Sequence, residues 1–263
     1  MLVIFSGCSG VGKNTVINKL MSENDSYRLL PTYTTRDMRP GEREGMPYHF
    51  ISDEQFEQKI AQGEFYEYER VHNHYYGTSR KLLAKGVESK KILVKDIDVN
   101  GALNLSEILK DDVHIVTLFL YVESADVLVE RLIGRGEKDI ELRLRRYEHE
   151  MSKKKYYSYL INNKSLEETA ALAEELIAFE GRGGRLCSTV SVCDADPKRI
   201  SEAEKLFESG EIPEPVKVSV KDGCFVITEG LERYIAAARC KKSVAKDLTL
   251  ATNELPACFE LEI

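Results

Sequence analysis

The chain has 263 residues, enough for one large or two medium domains. It is 43% hydrophobic and 31% charged, so it can bury a core and remain soluble. Its net charge of −7 argues against a whole-chain nucleic-acid binder, because phosphate backbones attract basic surfaces. The longest apolar runs, such as IVTLFLYV (115–122), are strand-length and fall short of the roughly 20 residues of a membrane span. MLVIFSG at the start has neither a basic n-region nor a cleavage site, so a cytoplasmic location is expected. The six cysteines form no CxxC pair, and Cys187 and Cys193 lack the further ligands of a zinc site. They are expected to be buried, reduced thiols.

LVIF (2–5) before glycines predicts a buried parallel strand, and Val16, Ile17, Leu20 and Met21 give helical spacing after them. Ser52 with Gln55 is a capping-box pattern for a helix with Phe56 and Ile60 inward, ended by Gly63. Residues 92–97 and 114–122 read as buried strands, 127–133 and 140–151 as helices. Ser165 with Glu168 caps a further helix running to about Phe179. Strands alternating with helices predict an α/β fold with a parallel sheet. EGRGGR (180–185) reads as a linker. After it come a strand in CSTVSVC, a helix over 199–208, a hairpin PVKVSV–KDG–CFVIT, the amphipathic helix LERYIAAARC and a strand in VAKDLTLA.

SGCSGVGKNT (6–15) approaches the phosphate-loop pattern. Gly7, Gly10 and Gly12, with Ser9 and Val11 between them, let backbone N–H groups turn toward phosphate oxygens. The helix N-terminus and Lys13 add positive potential. Asn14 stands where the pattern has Ser or Thr, which weakens a Mg²⁺ contact more than a phosphate contact. Thr15 still offers a hydroxyl, and Mg²⁺ can be held largely by water and nucleotide phosphates.

Downstream, TYTTRDMRPGEREGMPYHF (32–50) places Arg36 and Arg39 in one loop, suited to a phosphate by bidentate donation. Taken alone, they could be solvated loop charges. FYEYERVHNHYYGTS (65–79) carries Glu67, Tyr76 and Thr78, and KDIDVNGA (95–102) puts Asp96 and Asp98 at a strand's carboxyl end, where open parallel sheets bind ligands. His72 and His74 have no partner at metal spacing, and KKK (153–155) reads as a solvated face.

With these blocks in order, together with RLxxRG (131–136) and INN (161–163), residues 1–180 resemble the guanylate kinases, the P-loop enzymes that phosphorylate GMP. The resemblance implies a P-loop kinase fold, with a GMP-binding subdomain at about 32–90 and a lid at about 124–152. It implies ATP and Mg²⁺ as cofactors, the metal held mainly by ATP and water with Asp96 and Thr15 as candidate oxygens. Arg36, Arg39 and Tyr48 would bind the GMP phosphate, supported by Tyr76 and Gly77. Glu67 and Asp98 would accept from the guanine N–H and amine, and Thr32 and Thr78 would donate to its carbonyl. Lys13, Arg36, Arg131, Arg135 and Arg143 would stabilise the transferred phosphoryl group, and Asn162 would lie near the adenine. Alternatives are a non-catalytic binding module of the same fold and a kinase of another monophosphate. Oligomeric state is left open, with no nucleic-acid or membrane partner expected.

Residues 186–263 resemble, more narrowly, the small α+β domain of ParB and sulfiredoxin-like proteins, in the hairpin followed by Gly230-Leu231-Glu232-Arg233. That likeness implies a separate domain with a second phosphate site at Glu229, Gly230 and Arg233. A folded appendage in which Arg233 makes structural contacts is the other reading.

Overall fold

The computed structural model describes residues 1–39, 41–71, 73–134, 136, 140–188, 191–251 and 259–261. In chain order the elements are β1 (Leu2–Gly7), α1 (Lys13–Glu23), β2 (Tyr27–Leu29), β3 (Thr32–Thr34), β4 (Arg43–Glu44), β5 (Pro47–Phe50), α2 (Asp53–Ala61), β6 (Phe65–Val71), β7 (His74–Ser79), α3 (Arg80–Glu88), β8 (Ile92–Asp96) and α4 (Val99–Leu109). There follow β9 (Ile115–Tyr121), α5 (Ala125–Gly134), α6 (Ile140–Ser152), β10 (Tyr159–Asn162), α7 (Leu166–Gly181), β11 (Cys187–Ser188), α8 (Pro197–Glu208), β12 (Val216–Lys221), β13 (Cys224–Glu229), α9 (Leu231–Arg239), β14 (Lys246–Leu250) and β15 (Phe259–Glu260). The chain forms two compact units, Met1–Phe5 with Ile17–Ile115, and Ser6–Val16 with Val116–Ile263.

In the first unit β8 pairs in parallel with β1 and β2. Leu2 to Phe5 are wholly inaccessible, as a strand covered on both faces requires. A second sheet runs β4-β5-β3-β7-β6. Helix α2 starts at the predicted capping box of Ser52 and Gln55, and Phe56 stacks on Phe65 and Tyr75 at 4.5 and 4.9 Å. Pairing of β3 and β6 with β7 brings Thr32, Thr78 and Glu67 onto one sheet.

In the second unit the strands run β15-β11-β13-β12-β14-β10-β9. Here the structure differs from the linker-and-domain expectation. Strand β10 pairs in parallel with β9 on one side and with β14 on the other, in the register Leu160↔Asp247. Strand β14 then pairs in parallel with β12. The C-terminal strands thus satisfy backbone groups that β10 would otherwise leave at an edge. The glycines after α7 close the helix rather than loosen the chain. Gly183, at φ 64°, donates to Glu180 and Gly184 donates to Phe179, a Schellman ending. The predicted hairpin is present, with Asp222 and Gly223 both at positive φ. Of CSTVSVC only Cys187–Ser188 is strand; Val192–Asp194 is a 3₁₀ turn, and residues 189–190 lie outside the described ones.

Among the described residues, no helix is long and apolar enough to cross a membrane. The described cysteines are free, but only Cys8 is buried; Cys193 and Cys224 are exposed. The expectation of burial was too broad, because these thiols lie on short turns and strand ends that nothing covers.

Candidate active site

The phosphate loop lies in the second unit. Gly7 adopts φ 130°, and a Cβ there would overlap the Leu120 carbonyl oxygen, so only glycine lets the loop approach β9 this closely. Lys13 opens α1 and its ammonium donates to the carbonyls of Gly7 (3.0 Å) and Cys8 (3.2 Å). Asn14 and Thr15 are exposed in the first helical turn. The Ser9 amide donates to buried Glu150 on α6 (2.9 Å), and Arg143 donates to Ser9 Oγ (2.7 Å). Arg146 lies 3.6 Å from the same Glu150 carboxylate. Burial, reinforced by Glu150, pushes the Cys8 thiol up to about 12, so this cysteine stays protonated and inert at neutral pH.

Beside the loop is a depression lined by Val11, Gly12, Thr15, Val16, Arg131 and Asn163. Arg131 donates to the carbonyls of Val11 (3.2 Å) and Asn163 (2.7 Å), while the Asn163 amide donates to Val11 (2.6 Å) and its oxygen accepts from Thr169 (2.8 Å). Asn163, not Asn162, therefore faces this depression; Asn162 instead donates to Glu123 (3.0 Å). Arg135 and His72 lie outside the described residues.

The acceptor side lies in the first unit. Arg36 is buried, and its guanidinium donates a bidentate pair to Glu42 (2.7 and 2.5 Å) while lying over the Tyr48 ring at 4.6 Å. Glu42 also accepts from the Arg39 amide (2.8 Å), and Arg36 holds its carboxyl below the usual range. The Arg39 side chain is exposed. Tyr76 meets Tyr48 edge-on at 6.1 Å, and a side chain at Gly77 would press into Phe56 and Phe65. A buried guanidinium fork that donates to both oxygens of one carboxylate is shaped to donate to two phosphate oxygens.

Next to it in the same unit lies a polar cluster. The Thr78 hydroxyl donates to Glu67, whose carboxyl is pushed up by burial against the pull of Lys95. Lys95, fully buried on β8, donates to Thr32 Oγ1 (2.7 Å). Burial lowers the Lys95 ammonium to about 8, opposed by Glu67, Asp96 and Asp98, which leaves it charged at neutral pH. Asp98 is the N-cap of α4, accepting from the amides of Asn100 (2.9 Å) and Gly101 (3.1 Å). Asp96 ends β8, half-buried, and with burial it raises the Tyr48 hydroxyl.

Glu69 Oε2 is buried without a donor, and burial together with Asp98 pushes this carboxyl up to about 7 from a usual 4.5. The folded state thus binds the proton more tightly. That stabilisation is complete below about 4.5 and lost as pH rises through about 7. Glu69→Gln keeps a donor at Oε2 without a charge, so its melting temperature should exceed the wild type's at pH 8 and match it near pH 5. An equal difference at both pH values would contradict this reading.

Near β13 the Gly230 turn is filled by its own chain. Arg233 donates to the Pro215 carbonyl (3.0 Å), and a Cβ on Gly230 (φ 88°) would overlap its guanidinium. Glu229 is exposed and pairs with Lys217 (2.6 Å). Four residues of these clusters went unread in the sequence: Glu42, Lys95, Glu150 and Asn163. Lys95 had a signal, a lysine directly after the apolar run ILV and inside strand β8. Glu150 had one too, seven residues after Arg143 on the same helical face.

A phosphate loop in one unit and an anion fork in the other are what a kinase with a phosphorylated acceptor requires, and the α/β fold is that of P-loop kinases. Comparison with known proteins narrows the class. The guanylate kinase family profile matches residues 1–180. Guanylate kinase of Clostridioides difficile is 35% identical over 183 residues, 68% of this chain and 88% of that one. That of Helicobacter pylori is 39% identical over 172 residues, 64% and 82%. The crystal structure of guanylate kinase from Anaplasma phagocytophilum superposes with a TM-score of 0.53 at 27% identity, covering 80% of this chain and 93% of that one. The chain belongs to the guanylate kinase family.

Proposed function

We infer that the chain transfers the γ-phosphoryl group of ATP to GMP, and to dGMP, giving GDP and ADP. The observation that carries this reading is the buried Arg36 fork, in the same unit as the Glu67–Thr78 pair. The fork takes the acceptor phosphate in exchange for Glu42, with Arg39, Tyr48 and Tyr76 around it. Glu67 and Asp98 accept from the guanine N–H and 2-amino groups, which adenine cannot supply, so an adenine ring leaves buried carboxylates unpaired. Thr32 offers its hydroxyl to the 6-oxo group, and Thr78 does so once the guanine N–H groups take over Glu67 and free its hydroxyl proton.

On the donor side the loop amides and Lys13 hold the β- and γ-phosphates. Arg131 and Arg143, both bonded to loop atoms, neutralise charge that spreads over the phosphoryl oxygens. Transfer is direct, so no side chain acts as nucleophile. The described residues hold no group of three or more metal-binding side chains. Exposed Thr15 would suit a Mg²⁺ ion held mostly by water and nucleotide, which would supply further charge neutralisation. We assign residues 186–263 a sheet-completing role; the Gly230–Arg233 turn keeps the ParB-like pattern while its guanidinium serves Pro215. The cytoplasm, where free thiols persist, is the proposed compartment.

Calorimetric titration tests the base site. GMP should bind at least about 100-fold more tightly than AMP, the penalty expected for unpaired buried groups. Equal affinities would refute guanine selection.

A further inference from the structure

Among the described residues of the base site, Lys95 is a fully buried charged group that the preceding reading does not use. It is 0% exposed, on a strand whose other residues are Ile92, Leu93, Val94 and the terminal Asp96. Lysine is almost never fully buried unless paired. Among the described residues its hydrogen bond goes to the Thr32 hydroxyl oxygen, and Glu67, Asp96 and Asp98 surround it with negative charge.

The bond to Thr32 has a chemical consequence. An ammonium only donates, so Thr32 Oγ1 must accept, and the threonine proton has to point elsewhere. A hydroxyl so oriented is a donor, and the adjacent positive charge strengthens it as one. Resting on the GMP reading above, we propose that Lys95 fixes the polarity of Thr32, so that the site admits a 6-oxo purine and rejects a 6-amino purine. Lys95 is then a positioning residue acting through Thr32. The carboxylates Glu67 and Asp98 read the N–H and 2-amino edge. Lys95 and Thr32 read the neighbouring oxygen.

The probe pair is GMP and 2,6-diaminopurine riboside 5′-monophosphate, which keeps the 2-amino group, exchanges the 6-oxo for a 6-amino group and with it loses the N1 proton, so the change in the ratio between wild type and variant is what reports on Thr32. Inosine 5′-monophosphate, which keeps the oxo group and lacks the amine, is the control. Wild type should prefer GMP over the diaminopurine by on the order of 10³-fold in kcat/KM. Lys95→Met should shrink that ratio by at least about tenfold, the worth of a charge-assisted hydrogen bond. The change should fall on KM for GMP, with kcat kept within about threefold, because Lys95 makes no contact that forms only in the transition state. The GMP-to-inosine ratio should hold within about threefold, since the carboxylates remain. Combined with Thr32→Val, the two losses should be non-additive, as for residues acting in one network.

An unchanged diaminopurine ratio in Lys95→Met overturns the proposal, and so do strictly additive losses. Lys95→Gln, a neutral donor, provides a second variant should the methionine fail to fold, and should fall between the two. A wild type that separates GMP from the diaminopurine by less than about tenfold overturns the proposal without any variant. Absence of turnover with GMP would instead sink the kinase reading, a distinct outcome.

Discussion

Lys13→Ala should lower kcat by at least about 10²-fold, the loss expected on removing one preorganised positive group from a phosphoryl-transfer site. Lys13 stands at the N-terminus of α1, whose first turn has no acidic residue to neutralise it. Its ammonium is held by the carbonyls of Gly7 and Cys8, so it is already positioned before nucleotide arrives. Charge accumulates on the phosphoryl oxygens as the bond to the leaving group loosens, and a fixed cation meets that charge without reorganisation. The effect should fall on kcat more than on KM for GMP, because the acceptor cradle of Arg36 and Glu42 is untouched. Lys13→Arg should recover little, since a planar fork does not replace a point charge bonded to two carbonyls. Steady-state kinetics with unchanged circular dichroism would check this; a kcat within about threefold of wild type would contradict it.

The second large effect concerns the C-terminal segment. A chain ending at Arg185 should melt at least about 10 °C lower than the full protein, or aggregate. Removing β14 strips the parallel ladder from one side of β10 and exposes an edge. It also removes Phe225 from its 4.1 Å stack on Phe179, and Asp247 from the Tyr121 hydroxyl (3.0 Å). Re-exposing one large apolar side chain costs about 1.5–3 kcal/mol. A lost aromatic pair adds about 0.5–1.5 kcal/mol. With about 2–4 °C per kcal/mol at this size, those terms and the newly opened edge account for the drop. Thermal melts of both forms decide the matter. Melting within about 3 °C of the full chain would restore the picture of an independent appended domain.

How far the sequence alone reached depended on whether the signal was local. The capping box at Ser52, the cap at Ser165, the Asp222–Gly223 turn and the phosphate loop are short-range patterns, and each is present in the structure. Gly183 and Gly184 read as a linker because composition cannot tell a Schellman ending from a flexible joint. The pairing of β10 with β14 is a contact between residues more than eighty positions apart, and no local pattern reports it. The same limit hid the partners of the site residues. Arg36 was legible as a loop guanidinium suited to an anion, but Glu42 in its fork was not. Asp98 was legible as a carboxylate at a strand end, while its service as the α4 cap follows only from backbone geometry. Asn162 ends β10 and Asn163 follows it; Asn162 donates to Glu123 and buried Asn163 to Val11, long-range partners that the motif INN does not report.

The central claim is that this chain phosphorylates a guanine monophosphate at the expense of ATP. The most direct measurement is ADP release by the purified full-length protein with ATP and Mg²⁺, offered GMP, dGMP, AMP, CMP or UMP in turn, with the product identified chromatographically. The account predicts GDP from GMP and dGDP from dGMP, each matched one-to-one by ADP, and no turnover of the other three. Release of ADP with AMP, CMP or UMP at a rate comparable to that with GMP would contradict it, as would tight binding of GMP with no turnover.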